Sequence, residues 1–100
     1  MRLVWSPLAL DRVEEIVDCI SLDRPQADRA RVAGLFDTVR TLAMFPEKGR
    51  VVPKVGRQEI RELIHERYRG IYKAEPTRVA ILTVRHGRRL LDLKDVQCEP

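Results

Sequence analysis

Residues 59–89 read EIRELIHERYRGIYKAEPTRVAILTVRHGRR, and this stretch decides the fold. It divides into three β-like runs, Glu59–His65, Arg69–Glu75 and Arg78–His86, joined by tight connections at Glu66-Arg67 and Pro76-Thr77. In the last run Val79, Ile81 and Thr83 alternate with Ala80, Leu82 and Val84. Both faces are apolar, as in a central strand. Basic residues recur through all three runs: Arg61, Arg69, Lys73, Arg78, Arg85, Arg88 and Arg89. Such a meander has one face to bury and another to offer to a charged partner.

The chain before it supplies the cover. Met1–Trp5 reads as a short strand, with Leu3 and Trp5 on one side. Ser6-Pro7 is a helix start, with Ser as N-cap and Pro in the first turn. From Leu8 to about Leu22, Ala9, Val13, Ile16, Val17 and Ile20 form one apolar stripe opposite an acidic face. Asp23-Arg24-Pro25 restarts the pattern. A second helix to about Phe45 aligns Val32, Leu35, Phe36, Val39, Leu42 and Ala43. Gly34 inside it marks either a close helix–helix approach or nothing. Phe45-Pro46 closes the helix, and the short connection favours an antiparallel hairpin. Residues 46–58, PEKGRVVPKVGRQ, read as an irregular cationic loop. After Gly87, the tail with Leu90, Leu91, Leu93 and Val96 suits a short helix and an extra strand equally.

One hundred residues make a single domain, 1–100, with 44% apolar residues to build one small core. The formal charge is +4, unevenly spread. Residues 1–48 hold seven Lys/Arg against eight Asp/Glu, a net of −1; residues 49–100 hold twelve against seven, a net of +5. The basic half points to nucleic acid, a nucleic-acid enzyme or an acidic peptide; solvated surface charge is the blander alternative. Cys19 and Cys98 give no metal spacing, and their usage suits a reducing cytosol. No stretch approaches the length of a membrane span.

Motifs exclude more than they assign. There is no HExxH, paired CxxC, P-loop or GxSxG, and neither His65 nor His86 belongs to a metal spacing, so neither metal nor cofactor is expected. His86 among arginines is a candidate acid or base on RNA, or merely a strand-end histidine. Stacking of bases has little support: Trp5, Phe36 and Phe45 look structural, and Tyr72 falls at a packed mid-strand position.

Read together, W-S-P-x-A-L (Trp5–Leu10), E-E-I (Glu14–Ile16), R-E-L-I (Arg61–Ile64), Y-R-G-I-Y (Tyr68–Tyr72) and I-L-T-V-R-H-G-R-R (Ile81–Arg89) resemble the ParE/RelE superfamily of type II toxin–antitoxin modules. The likeness runs through nearly the whole chain. It implies an α+β fold: an N-terminal helical hairpin packed on a small, mainly antiparallel sheet of three to four strands. It also implies a cytoplasmic toxin in a hetero-oligomer with a ParD-like or RelB-like antitoxin. RelE-like members cleave mRNA on the ribosome; ParE-like members poison DNA gyrase. A nuclease would here draw on Arg61, Arg85, His86 and Lys54. Leu90 and Leu91 stand where such a nuclease more often has a tyrosine, so the ending looks more like the ParE branch. The resemblance makes Lys48, Arg50, Lys54, Arg57, Arg61, Arg69, Arg85, Arg88 and Arg89 candidates for the target surface. It makes Val13, Val17, Ile20, Leu35, Val39 and Leu42 candidates for antitoxin binding along the hairpin.

Overall fold

The computed structural model describes residues 1–18 and 25–86. Strand β1 (Arg2–Trp5) leads into helix α1 (Pro7–Asp18). Helix α2 (Pro25–Arg40) ends in a 3₁₀ turn (Thr41–Ala43). Four strands follow: β2 (Arg50–Val51), β3 (Ile60–His65), β4 (Tyr68–Ala74) and β5 (Arg78–His86). They form one sheet of order β1-β5-β4-β3-β2, with β1 parallel to β5 and the other pairs antiparallel. The three meander runs thus sit where periodicity puts them, and the most apolar run, β5, is an interior strand between β1 and β4.

Two expectations need correction. The sheet has five strands, not three or four. The extra one, β2, comes from the stretch read as loop, where Arg50 pairs with Glu62 and Val51 with Arg61. A two-residue strand is too short to show an alternation. The helices also follow a strand rather than open the fold. Each rests on the sheet, α1 against β5 and α2 against β3. The connection at 19–24 and the tail beyond His86 lie outside the described residues, as does the question of helix or strand for that tail.

Ser6 fixes the start of α1. Its Oγ accepts from the Ala9 N–H at 3.0 Å and donates to the Leu82 carbonyl at 2.7 Å. Its own N–H donates to the Ile81 carbonyl. One buried hydroxyl therefore caps the helix and ties it to β5, beside the irregularity where Leu82 falls between two register pairs. Ser6→Ala removes a cap and leaves buried partners unmet. It is expected to cost about 2 kcal/mol, measured by urea unfolding.

The core has two parts. On the helix side, Ala9, Val32, Leu35, Val39 and Leu42 pack on Leu63, Tyr68, Tyr72, Val79, Ile81 and Val84. Leu3 and Trp5 join them, and Trp5 meets Phe36 at a ring separation of 5.3 Å. On the outer side a smaller cluster gathers Val52, Ile60, Ile71, Ala80 and Leu82, with Val55 against it. Gly34 marks an approach of helix to strand. A Cβ there would lie 2.5 Å from His65 Nε2. Below it, Thr38 Oγ1 donates to the Gly34 carbonyl and lies 3.3 Å from His65 Nδ1.

Candidate functional site

Strand side chains alternate between faces, and this sorts the arginines. Ile60 belongs to the outer cluster and Leu63 to the helix side, so Glu62 faces outward. Arg50 stands opposite Glu62 in register, and Arg85 stands directly opposite Arg69. The outer face thus carries Arg50, Glu62, Arg69 and Arg85 across β2, β3, β4 and β5. Like charges directly opposite are unfavourable. Glu62 offsets part of this. Its carboxylate, 1% exposed, accepts from Arg50 Nε and from Arg69 Nη1, the latter at 3.3 Å.

Arg61 is on the other face. Its register partner is Tyr72, which packs in the helix-side core. Its Nη1 donates to the Gly49 carbonyl at 2.9 Å and reaches that of Glu47. Tyr72 works on the same loop: its hydroxyl donates to the Pro46 carbonyl at 2.8 Å and accepts from the Gly49 N–H at 2.9 Å. Arg61 and Tyr72 together hold residues 46–49 against the sheet. Burial pushes the Tyr72 phenol above its ordinary value of 10.0, with the Gly49 hydrogen bond pulling the other way. The folded chain therefore keeps this proton to higher pH than the unfolded chain. The associated stability is whole below pH 10.0 and is lost as pH rises through the folded value. Alkaline unfolding is expected to show this loss, and Tyr72→Phe to abolish it while costing about 1 kcal/mol at neutral pH.

The remaining cations are spread along the loop and turns. Lys48 Nζ donates to Thr41 Oγ1 at 3.1 Å, and Arg57 pairs with Glu59 at 2.7 Å. That contact and the backbone hydrogen bond to the Glu59 carboxyl, the larger effect, hold it below its ordinary value. Lys54 is exposed on the turn after β2. Arg88 and Arg89 lie outside the described residues. The nuclease set is not brought together: Arg61 lies on the helix side and Arg85 on the outer side. His86 ends β5 opposite Tyr68, and its side chain lies outside the described residues. Among the described residues no three His, Cys, Asp or Glu groups converge as a metal site. No described helix is long and apolar enough to cross a membrane.

The apolar candidates divide as well. Leu35, Val39 and Leu42 are at most 2% exposed. They are committed to the core and give no docking surface, because they are what α2 and the 3₁₀ turn after it bury. Val13 is partly buried against that core, whereas Val17 is 47% exposed. Ile20 lies outside the described residues. Phe45, expected to be structural, is 59% exposed, and the adjacent Met44 is 79% exposed. The α-helix ends at Arg40, and the 3₁₀ turn after it rotates these two side chains away from the core. A helix expected to run to about Phe45 could not show this.

Residues 3–91 match the family model for the ParE toxin of the type II toxin–antitoxin system parDE. No curated protein matches the chain. Among solved structures, a chromosomal ParDE TA system from P. aeruginosa is similar, with a TM-score of 0.69 at 20% identity. The similarity covers 86% of this chain and 95% of that one. The class defined by fold and sequence is a toxin of a type II toxin–antitoxin system. The chain belongs to the ParE toxin family, and an antitoxin partner follows from that membership.

Proposed function

We propose that this protein arrests growth by inhibiting DNA gyrase without catalysis, and that a cognate antitoxin neutralises it in a cytoplasmic hetero-oligomer. The observation that carries this reading is the match to the ParE toxin family along residues 3–91. The separation of Arg61 from Arg85 across the sheet supports it, since a nuclease would need its cations and base around one phosphate. The target surface is the outer face with Arg50, Arg69 and Arg85, extended by Lys48, Lys54 and Arg57 on the loop and by Arg88 and Arg89. Arg61 supports this surface from behind by holding the loop. The antitoxin contacts α1 at Val13 and Val17, where Val17 offers exposed apolar area, with Ile20 in the sequence just after the helix.

Induced expression with and without the adjoining antitoxin gene tests the reading. Growth arrest that co-expression relieves, with translated mRNA intact by primer extension, is the expected result. Cuts in translated mRNA, or unaltered growth at high expression, would remove it.

A further inference from the structure

The Glu62 carboxylate is buried beside apolar neighbours. Its register partner on β4 is Ile71, and Ile60 precedes it on the same face; both are 0% exposed. Each carboxylate oxygen accepts from a different arginine, Oε1 from Arg50 Nε and Oε2 from Arg69 Nη1. These arginines come from the strands on either side of β3. A buried ion pair is weak ground for stability, since well-packed apolar residues in its place often serve as well or better. What apolar residues cannot do is fix the direction of two guanidinium groups.

Direction matters most for Arg50, which is 66% exposed. A long side chain at such a surface samples many rotamers. Bonded through Nε to a carboxylate that is itself 1% exposed, it is ordered on folding rather than on docking, and that favours binding. Arg69 stands directly opposite Arg85, where like charge pushes the two apart; the carboxylate holds it in place. We propose that Glu62 is a positioning residue of the target face. It does not touch the target; it holds Arg50 and Arg69 in the arrangement that the target meets. This rests on the gyrase reading above. Charge and position make opposite demands here. Glu62→Gln removes a negative charge from a cationic face, so if field strength governed docking, an acidic target would be held more tightly. If orientation governs, the target is held more weakly.

The test titrates full-length variants into a supercoiling reaction with purified DNA gyrase, below the unfolding midpoint of each. Antitoxin affinity serves as the check on fold, because the antitoxin meets α1 on the other side of the sheet. Glu62→Gln and Glu62→Asp are each expected to raise the concentration for half inhibition about tenfold, the size of one coupled contact, with antitoxin affinity unchanged. Glu62→Asp keeps the charge and draws the carboxylate back by one methylene, so its effect is one of position. Arg50→Ala is expected to raise that concentration as well. Arg50→Ala combined with Glu62→Gln should raise it by less than the product of the two, because Glu62 acts in part through Arg50. Unchanged or stronger inhibition by Glu62→Gln, or a double variant equal to the product, overturns the inference and leaves the gyrase reading standing. Antitoxin affinity lost in step with inhibition in both Glu62 variants assigns Glu62 to the fold alone and also overturns it. No inhibition by the unsubstituted chain overturns the gyrase reading and this inference with it.

Discussion

Glu62→Ala is expected to lower the unfolding free energy by about 3–5 kcal/mol, the range for removing one partner of a buried ion pair. The Glu62 side chain is 1% exposed, and Arg69 beside it is 20% exposed. Without the carboxylate, Arg69 keeps its place directly opposite Arg85, with Arg50 close by and less negative charge between them. Arg50 is 66% exposed, so Arg50→Ala should cost under about 1 kcal/mol. Glu62→Gln, which keeps the volume and one acceptor, should fall between the two. Urea unfolding at neutral pH checks the order. A Glu62→Ala midpoint equal to that of the unsubstituted chain would show that the outer face does not depend on this carboxylate.

The second large effect is expected at Gly49. A Cβ there would lie 2.5 Å from the Glu62 carbonyl oxygen and 2.7 Å from the Tyr72 hydroxyl. The nearest atom is backbone in the middle of β3, so it cannot swing aside. Gly49→Ala must lift the loop off the sheet, which breaks the Tyr72 hydrogen bonds to Pro46 and Gly49 and the Arg61 bond to the Gly49 carbonyl. A cost of about 2–3 kcal/mol is expected from overpacking and unmet buried groups. Hydrogen exchange should show the change first at the Gly49 N–H, which Tyr72 otherwise protects. Gly34→Ala differs in kind, because the atom it meets is the end of the His65 ring. That ring can turn, at the cost of its contact with Thr38.

The contrast between these glycines shows what the sequence makes legible. The meander was readable because β3, β4 and β5 are long enough to display alternation, and because β5 is apolar on both faces. Ser6-Pro7 was readable because capping chemistry is local. Strand β2 was not, since two residues carry no period and its pairing depends on Glu62, eleven or more residues away in the chain. The faces of the arginines were hidden for a related reason. Arg61 and Arg69 look alike in a basic string, but register puts Arg61 on the helix side with Tyr72 and Arg69 outside with Glu62. Glu62 itself left one local trace: it sits between Ile60 and Ile64 on the same face of a strand otherwise rich in arginine neighbours. Phe45 was misplaced because an aromatic at a helix end reads as core, and nothing local shows that the α-helix stops at Arg40.

These placements divide the molecule by role. The helix-side core fixes the sheet, and Tyr72 with Arg61 fixes the 46–49 loop. The outer face of the sheet carries Arg50 and Arg69 on the Glu62 carboxylate, with Arg85 opposite Arg69. On the proposed reading this charged face, and not a reactive group, is what meets the target.

The most direct measurement of that account is a supercoiling titration, with purified protein added to DNA gyrase, relaxed plasmid and ATP. The account predicts that supercoiling falls with added protein and returns when the cognate antitoxin is supplied in equal amount. Full supercoiling at saturating protein would contradict it.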